Sequence, residues 1–240
     1  MYLSRLILNP RNAQARKEIA LPYQLHRTLL NAFPVGRAEQ PRSEVDSFGV
    51  LFRLEQSERD GSIRVLVQSK VAPDWRFLQG KQDARRQPYL LPPELLPDDL
   101  LNPAVTEFHL AEKLRVGQIL AFRLRANPTR RLGKAAGKDQ GKRVGIYDEE
   151  SQIRWLERKA EAGGFRILSL TVRRDGKLKD YIPRQDDAPH KLELLSVQFD
   201  GLLQVLDPQL LIMTVETGVG SAKGFGFGLL SLARPDPGIG

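Results

Sequence analysis

The 240-residue chain contains no cysteine. That absence excludes a disulfide framework, thiolate-ligated zinc, an iron–sulfur cluster and a cysteine nucleophile. Histidine is nearly as scarce, with three residues in all. His26, His109 and His190 stand apart, and no H-x-x-x-H or H-E-x-x-H spacing brings two imidazoles to one helix face. The carboxylate doublets Asp98-Asp99 and Asp186-Asp187 lie in turn-like sequence, so neither a bound metal nor a cofactor is expected. No 18 apolar residues run together, which argues against a membrane span. Arg5 and Pro10 break the apolar N-terminus too early for a signal-peptide core. These readings place the protein in the cytoplasm. What the chain has instead is positive charge: 37 Lys plus Arg against 29 Asp plus Glu, a net +8, on a background with 41% apolar side chains. A globular protein with an anionic partner such as nucleic acid fits this balance.

Residues 2–8 are apolar and β-prone and end at Pro10, the pattern of a strand. Pro22 suits a first helical turn, and Leu25, Leu29, Ala32 and Phe33 continue an apolar rhythm until Pro34 and Gly36. Strands are expected at 48–54 and 63–68, joined by a loop with the hairpin signal Asp60-Gly61. Residues 87–103 read as an extended surface connection or short helical turns, and 105–110 as a closing strand. A second series follows: strand 118–124, helix 150–162 ending at Gly163-Gly164, strand 165–173, and a long strand 191–206 with a bulge or turn at Gly201. Asp207-Pro208 then starts a helix to about 215, and 229–232 supplies a last strand. The order β-α-β-β-α-β occurs twice. It predicts an α+β protein of two tandem ferredoxin-like (RRM-like) domains, 1–115 and 116–240.

On the first helix, Leu21, Leu25, Thr28, Leu29 and Ala32 share a sector of about 100°, a normal buried stripe. Tyr23 and His26, at i and i+3, lie on the opposite side with Arg27 and can reach one phosphate or hydroxyl. An imidazole with an unperturbed pKa of about 6.5 suits proton transfer, whereas a phenol near 10 is better suited to orienting a hydroxyl. A surface Tyr and His without a role would show the same spacing. The segment 218–228 holds five glycines and the single charge Lys223. Backbone N–H groups around Gly218, Gly220 and Gly224, with Lys223, can cradle phosphate oxygens. Neither a dinucleotide fingerprint nor a Walker lysine motif is present. Between Arg123 and Arg143 lie eight basic residues, Arg125, Arg130 and Arg131 among them, against Asp139 alone. This +7 window leaves the rest of the chain at +1. With little apolar rhythm it reads as a mobile loop that orders on a polyanion. Arg173, Arg174, Lys177 and Lys179 flank Asp175-Gly176, the expected tip of a basic hairpin. Arg154 and Arg158 share a face of the second-series helix, although Arg158 pairing with Glu161 would read the same.

Four segments in order carry a family resemblance: the opening Met-Tyr-Leu-Ser-Arg-Leu, the helix segment Tyr23-Gln-Leu-His26-Arg, the run Phe122-Arg-Leu-Arg-Ala-Asn-Pro-Thr129, and the loop 218–230. Together they resemble the CasE family, the CRISPR-associated endoribonucleases of the type I-E system, over nearly the whole chain. The resemblance implies tandem ferredoxin-like domains that bind the stem-loop of a CRISPR repeat RNA and cut at the 3′ base of the stem. The product crRNA then stays with the other subunits of the Cascade complex. The catalytic Tyr and His of the family fall on Tyr23 and His26. Its glycine-rich loop falls on 218–228 with Lys223 on the RNA backbone, and its basic hairpin on Asp175-Gly176. The segment after Asn127-Pro128 resembles a variable loop. Where other members place a further basic residue on the catalytic helix, this chain has Asn31, which leaves Arg27 and Lys223 as candidates for charge stabilisation.

With the ribose 2′-hydroxyl as nucleophile, cleavage is an internal transesterification that needs positioning and proton transfer, not a metal. His26 would act as base to the 2′-hydroxyl or as acid to the leaving oxygen, Tyr23 would orient the 2′-hydroxyl, and the ends would be a 2′,3′-cyclic phosphate and a 5′-hydroxyl. A non-catalytic subunit that only holds an RNA hairpin would use the same basic surface.

Overall fold

The computed structural model describes residues 1–34, 48–57, 61–97, 99–133, 137–138, 141–182 and 190–235. Its internal contacts divide the chain into two units. The first comprises Met1–His109 together with Asp180–Ile182 and Gly224–Gly226, and the second Leu110–Lys179, Pro183–Lys223 and Phe227–Gly240.

In the first unit, β1 (Tyr2–Leu8), β2 (Leu51–Gln56), β3 (Ile63–Ser69) and β4 (Ala104–Glu107) form one antiparallel sheet in the order β2-β3-β1-β4. Register is set by pairs such as Leu6 with Val65 and Tyr2 with Glu107. The helix α2 (Pro22–Leu30) starts with proline at its first position, where a missing N–H costs nothing. Leu25 and Leu29, one turn apart, are buried with Leu6, Leu8, Phe52, Val65 and Val67. Each such burial contributes about 1.5–3 kcal/mol. The pattern leaves the Tyr23 and His26 face half-buried, outside the core.

Three local features differ from the sequence expectation. A helix α1 (Ala13–Ala20) precedes α2 and is capped by the Asn12 side chain, which accepts from the Ala15 N–H at 2.8 Å. Its polar sequence hid it, because besides Ala15 its buried residue is Glu18, whose carboxylate accepts from Thr28 Oγ1 at 2.8 Å and from the Tyr89 hydroxyl. Burial, reinforced by the negative charge of Glu18, pushes the Tyr89 phenol far above its ordinary value and keeps it a hydrogen-bond donor. Between β3 and β4 the second helix that the β-α-β-β-α-β order implies is reduced to α3 (Arg76–Gln79), while the 3₁₀ turn Pro93–Leu95 agrees with the short helical turns read in 87–103. The closing strand stops at Glu107, and His109, expected inside it, is exposed beside Glu107.

The second unit repeats the topology. Its strands β5 (Ile119–Ala126), β8 (Phe165–Ile182), β9 (His190–Val205) and β10 (Leu230–Ala233) are ordered β10-β5-β9-β8. A separate two-stranded ladder joins β6 (Thr129–Arg131) to β7 (Arg143–Gly145). The helix α4 (Glu149–Ala162) is capped by Asp148, and α5 (Pro208–Thr217) by Asp207. The Asp207 cap was marked in the sequence by Asp207-Pro208, and the end of α4 by Gly163-Gly164. No helix among the described residues is long and apolar enough to cross a membrane.

The expected hairpin tip at Asp175-Gly176 is a correction. Both residues lie inside β8, where Gly176 takes φ +86° within a strand that runs on to Ile182. A glycine with positive φ is compatible with a bulge as well as a turn, and here the strand continues through it. Gly201 likewise marks no turn in β9. The Ser169 carbonyl oxygen sits 2.0 Å from where a Cβ would stand, so that position requires glycine. Of the basic segment 123–143, expected as a loop, Arg123 and Arg125 lie in β5, Arg130 and Arg131 in β6 and Arg143 in β7. Residues 134–136, 139–140 and 183–189, together with Gly36, Asp60 and Asp98 of the sequence expectation, lie outside the described residues.

Candidate active site and nucleic-acid interface

In the first unit, α2 is held at its start by a residue far along the chain. The Tyr23 backbone N–H donates to Asp180 Oδ2 at 2.8 Å. This N–H belongs to the first turn, which has no intrahelical acceptor, and a carboxylate there also meets the positive end of the helix dipole. Asp180 is only 2% exposed. Removing it leaves a helix N–H without its acceptor, so Asp180→Ala should lower unfolding stability by about 1–3 kcal/mol. Urea denaturation of the intact protein measures it, and an unchanged midpoint would reject the capping role.

Tyr23 and His26 then present their rings one turn apart. The Tyr23 ring stacks on Phe225 with centroids 5.6 Å apart and planes at 27°. The His26 imidazole stacks on Phe52 at 5.8 Å and 12°. Gly224 passes so close to the imidazole that a Cβ there would lie 3.3 Å from His26 Cδ2, and a Cβ at Gly226 would lie 3.1 Å from Phe52. Arg27, at i+4 from Tyr23, is exposed and has neither hydrogen bond nor ion pair among the described residues. Tyr23, His26 and Arg27 therefore occupy one face of one helix: a hydroxyl, a group able to carry a proton near neutral pH, and a permanent cation.

The second unit gathers cations. Thr129, Arg130 and Arg131 of β6, Arg143 of β7, and Trp155 and Lys159 of α4 line a cavity of about 180 Å³ with Gly220 and Ser221 of the glycine-rich segment. Arg130, Arg131, Arg143 and Lys159 are exposed and have no carboxylate partner among the described residues. Four uncompensated cations beside a serine hydroxyl and a glycine backbone form a pocket for anionic oxygen. The sequence expectation named Arg130, Arg131 and Gly220, and the fold adds Arg143, Lys159 and Ser221.

Other expected binding residues are engaged inside the unit. Arg125 donates to Ser196 Oγ at 2.8 Å, lies 3.6 Å from Asp175 and covers the Phe227 ring. Arg173 pairs with the same Asp175 at 3.1 Å and Arg174 with Glu149 at 3.6 Å. Lys177 pairs with Glu193 at 2.5 Å, and this hydrogen bond raises the ammonium pKa and lowers that of the carboxyl. Arg154 is bonded to Glu150, and the Lys223 ammonium donates to the Thr217 carbonyl at the end of α5. Gly218 forms the C-cap of that helix at φ +75°. Arg158 is exposed and unpaired among the described residues, not joined to Glu161. Sequence reasoning missed Asp180, Phe52 and Phe225. Phe225 sat inside a segment already singled out for glycine, and the other two carried no local signal.

Two ferredoxin-like sheets, one with a Tyr–His pair on its helix and the other with a cation-lined pocket, suit a class of protein that handles a phosphodiester chain. Comparison with known proteins gives the family. A family model described as CRISPR associated protein matches residues 1–234. The CRISPR-associated endoribonuclease Cse3 of Thermus thermophilus is 37% identical over 242 residues, covering 97% of this chain and 100% of its own. The CRISPR system Cascade subunit CasE of Escherichia coli is 30% identical over 239 residues, covering 97% and 99%. A solved structure of the CRISPR endoribonuclease Cse3 bound to 19 nt RNA aligns with a TM-score of 0.76 and 36% identity, covering 98% of this chain and 100% of that one. The chain belongs to the CasE (Cse3) family of CRISPR-associated proteins, as the four sequence segments implied.

Proposed function

We propose that this protein is an endoribonuclease that cuts CRISPR precursor RNA at the 3′ base of the repeat stem-loop and retains the crRNA within a Cascade assembly in the cytoplasm. The observation that carries the reading is the pairing of Tyr23 and His26 on the half-buried face of α2, each fixed by an aromatic stack. The kinship with RNA-bound Cse3 supports the substrate class.

The chemistry is an internal transfer. The ribose 2′-oxygen attacks the adjacent phosphorus, the bond from phosphorus to the 5′-oxygen breaks, and the 2′-proton is replaced by one delivered to the leaving oxygen. RNA carries its own nucleophile, so the protein has to orient it, move protons and balance charge. His26 takes or gives a proton, Tyr23 orients the 2′-hydroxyl, and the unpaired Arg27 is available to the developing negative charge. The partnerless cations of the second unit suit the phosphates of an A-form stem, whose deep groove hides its base edges.

The test is incubation of a labelled repeat hairpin in EDTA. Cleavage with 2′,3′-cyclic phosphate and 5′-hydroxyl ends is expected, and a 2′-deoxy nucleotide at the cut should abolish it while leaving binding intact. Tight binding without a cut would make the chain a holding subunit instead.

A further inference from the structure

We propose that Phe225 is a positioning residue of the cleavage reaction, acting through Tyr23. The proposal rests on the reading of Tyr23 and His26 as the reacting pair. The Tyr23 hydroxyl makes no hydrogen bond among the described residues, so no polar contact there fixes where its tip points. Its main-chain end is fixed by Asp180, and its ring is fixed by the face of Phe225, 5.6 Å away.

The residues beside Phe225 are shaped for this approach. Gly224 has no side chain where one would press on His26 Cδ2, and Gly226 has none where one would press on Phe52, the ring under His26. The three residues Gly224-Phe225-Gly226 thus touch both reacting side chains or their support. Four and three positions before Gly224, Gly220 and Ser221 line the cation pocket. The glycine-rich segment, expected from sequence to serve the phosphate backbone throughout, divides by position: 220–221, near its start, line the cation pocket, and 224–226 orders the catalytic pair. A misplacement of about 1 Å at a reacting group can cost on the order of 10²-fold in rate.

The test is single-turnover cleavage of the repeat hairpin with saturating protein, alongside equilibrium binding, for Phe225→Leu, Phe225→Tyr, Tyr23→Ala, Tyr23→Ala combined with Phe225→Leu, and His26→Ala. Phe225→Leu should slow cleavage roughly 10- to 100-fold with RNA affinity within about threefold. Phe225→Tyr, which keeps the ring, should restore the rate. With Tyr23→Ala already present, Phe225→Leu should cost less than about threefold more. Wild-type cleavage by Phe225→Leu, or a loss of affinity equal to the loss of rate, would overturn the proposal, the latter by making Phe225 an RNA contact. So would a full extra loss in the Tyr23→Ala background. Should Phe225→Leu lower the melting temperature, the Tyr variant and the double variant decide. Wild-type cleavage by His26→Ala would instead remove the reading on which the proposal rests.

Discussion

His26→Ala should slow cleavage of the repeat hairpin by roughly 10²–10⁴-fold, about 3–5 kcal/mol of barrier, with RNA binding within a few-fold of wild type. The size follows from what the imidazole supplies: a proton acceptor or donor that water replaces poorly because it is neither positioned nor matched in pKa. The split between rate and affinity follows from the placement of charge. His26 is half-buried against Phe52 in the first unit, while the unpaired cations Arg130, Arg131, Arg143 and Lys159 are all in the second. Folding should survive, because the core side of α2 rests on Leu25 and Leu29. Single-turnover rates at saturating protein separate the outcomes, and a variant that cuts at the wild-type rate removes His26 from the mechanism. Tyr23→Phe in the same series keeps the ring on Phe225 and deletes only the hydroxyl, which isolates the orienting role.

The elements that sequence made legible are those whose own residues carry the signal. Two sheets of the same topology follow from strands with apolar, β-branched character, α2 and α5 from Pro22 and Asp207 at their starts, and α4 from Gly163-Gly164 at its end. The same locality explains the Tyr23 and His26 pair, since helical spacing alone puts them on one face. What stayed hidden depends on partners distant in the chain. The acceptor for the Tyr23 N–H lies 157 residues away, and the rings under Tyr23 and His26 come from Phe225 and Phe52. β6 and β7 are three residues each, without apolar alternation, and exist because Arg130 pairs with Val144 across a long connection. Asp175-Gly176 misled in the opposite direction. Its dipeptide is a turn signal, but the carboxylate is held by Arg173 and Arg125 inside the sheet, and tertiary pairing overrode the local preference.

The division between paired and unpaired cations makes the second large prediction. Arg130, Arg131 and Lys159 face one pocket without a carboxylate to neutralise them among the described residues, so each is available to a phosphate without first breaking an internal pair. Replacing all three with alanine should weaken hairpin binding by roughly 10²–10³-fold at moderate salt, and flatten the slope of log affinity against log salt by about 2–3. Arg154, Arg173 and Lys177 carry the same formal charge but are bonded to Glu150, Asp175 and Glu193. A phosphate that recruits them must displace a carboxylate, so the matching triple alanine variant should alter affinity by less than about tenfold and the slope by less than about one. Cleavage at saturating protein should stay near wild type in both, because neither touches α2. Titrations of the labelled hairpin across a salt series read the two slopes directly. Equal losses in the two triple variants would mean that net charge, not the pocket, binds the RNA. An unchanged slope in the first would mean that the stem lies on another face.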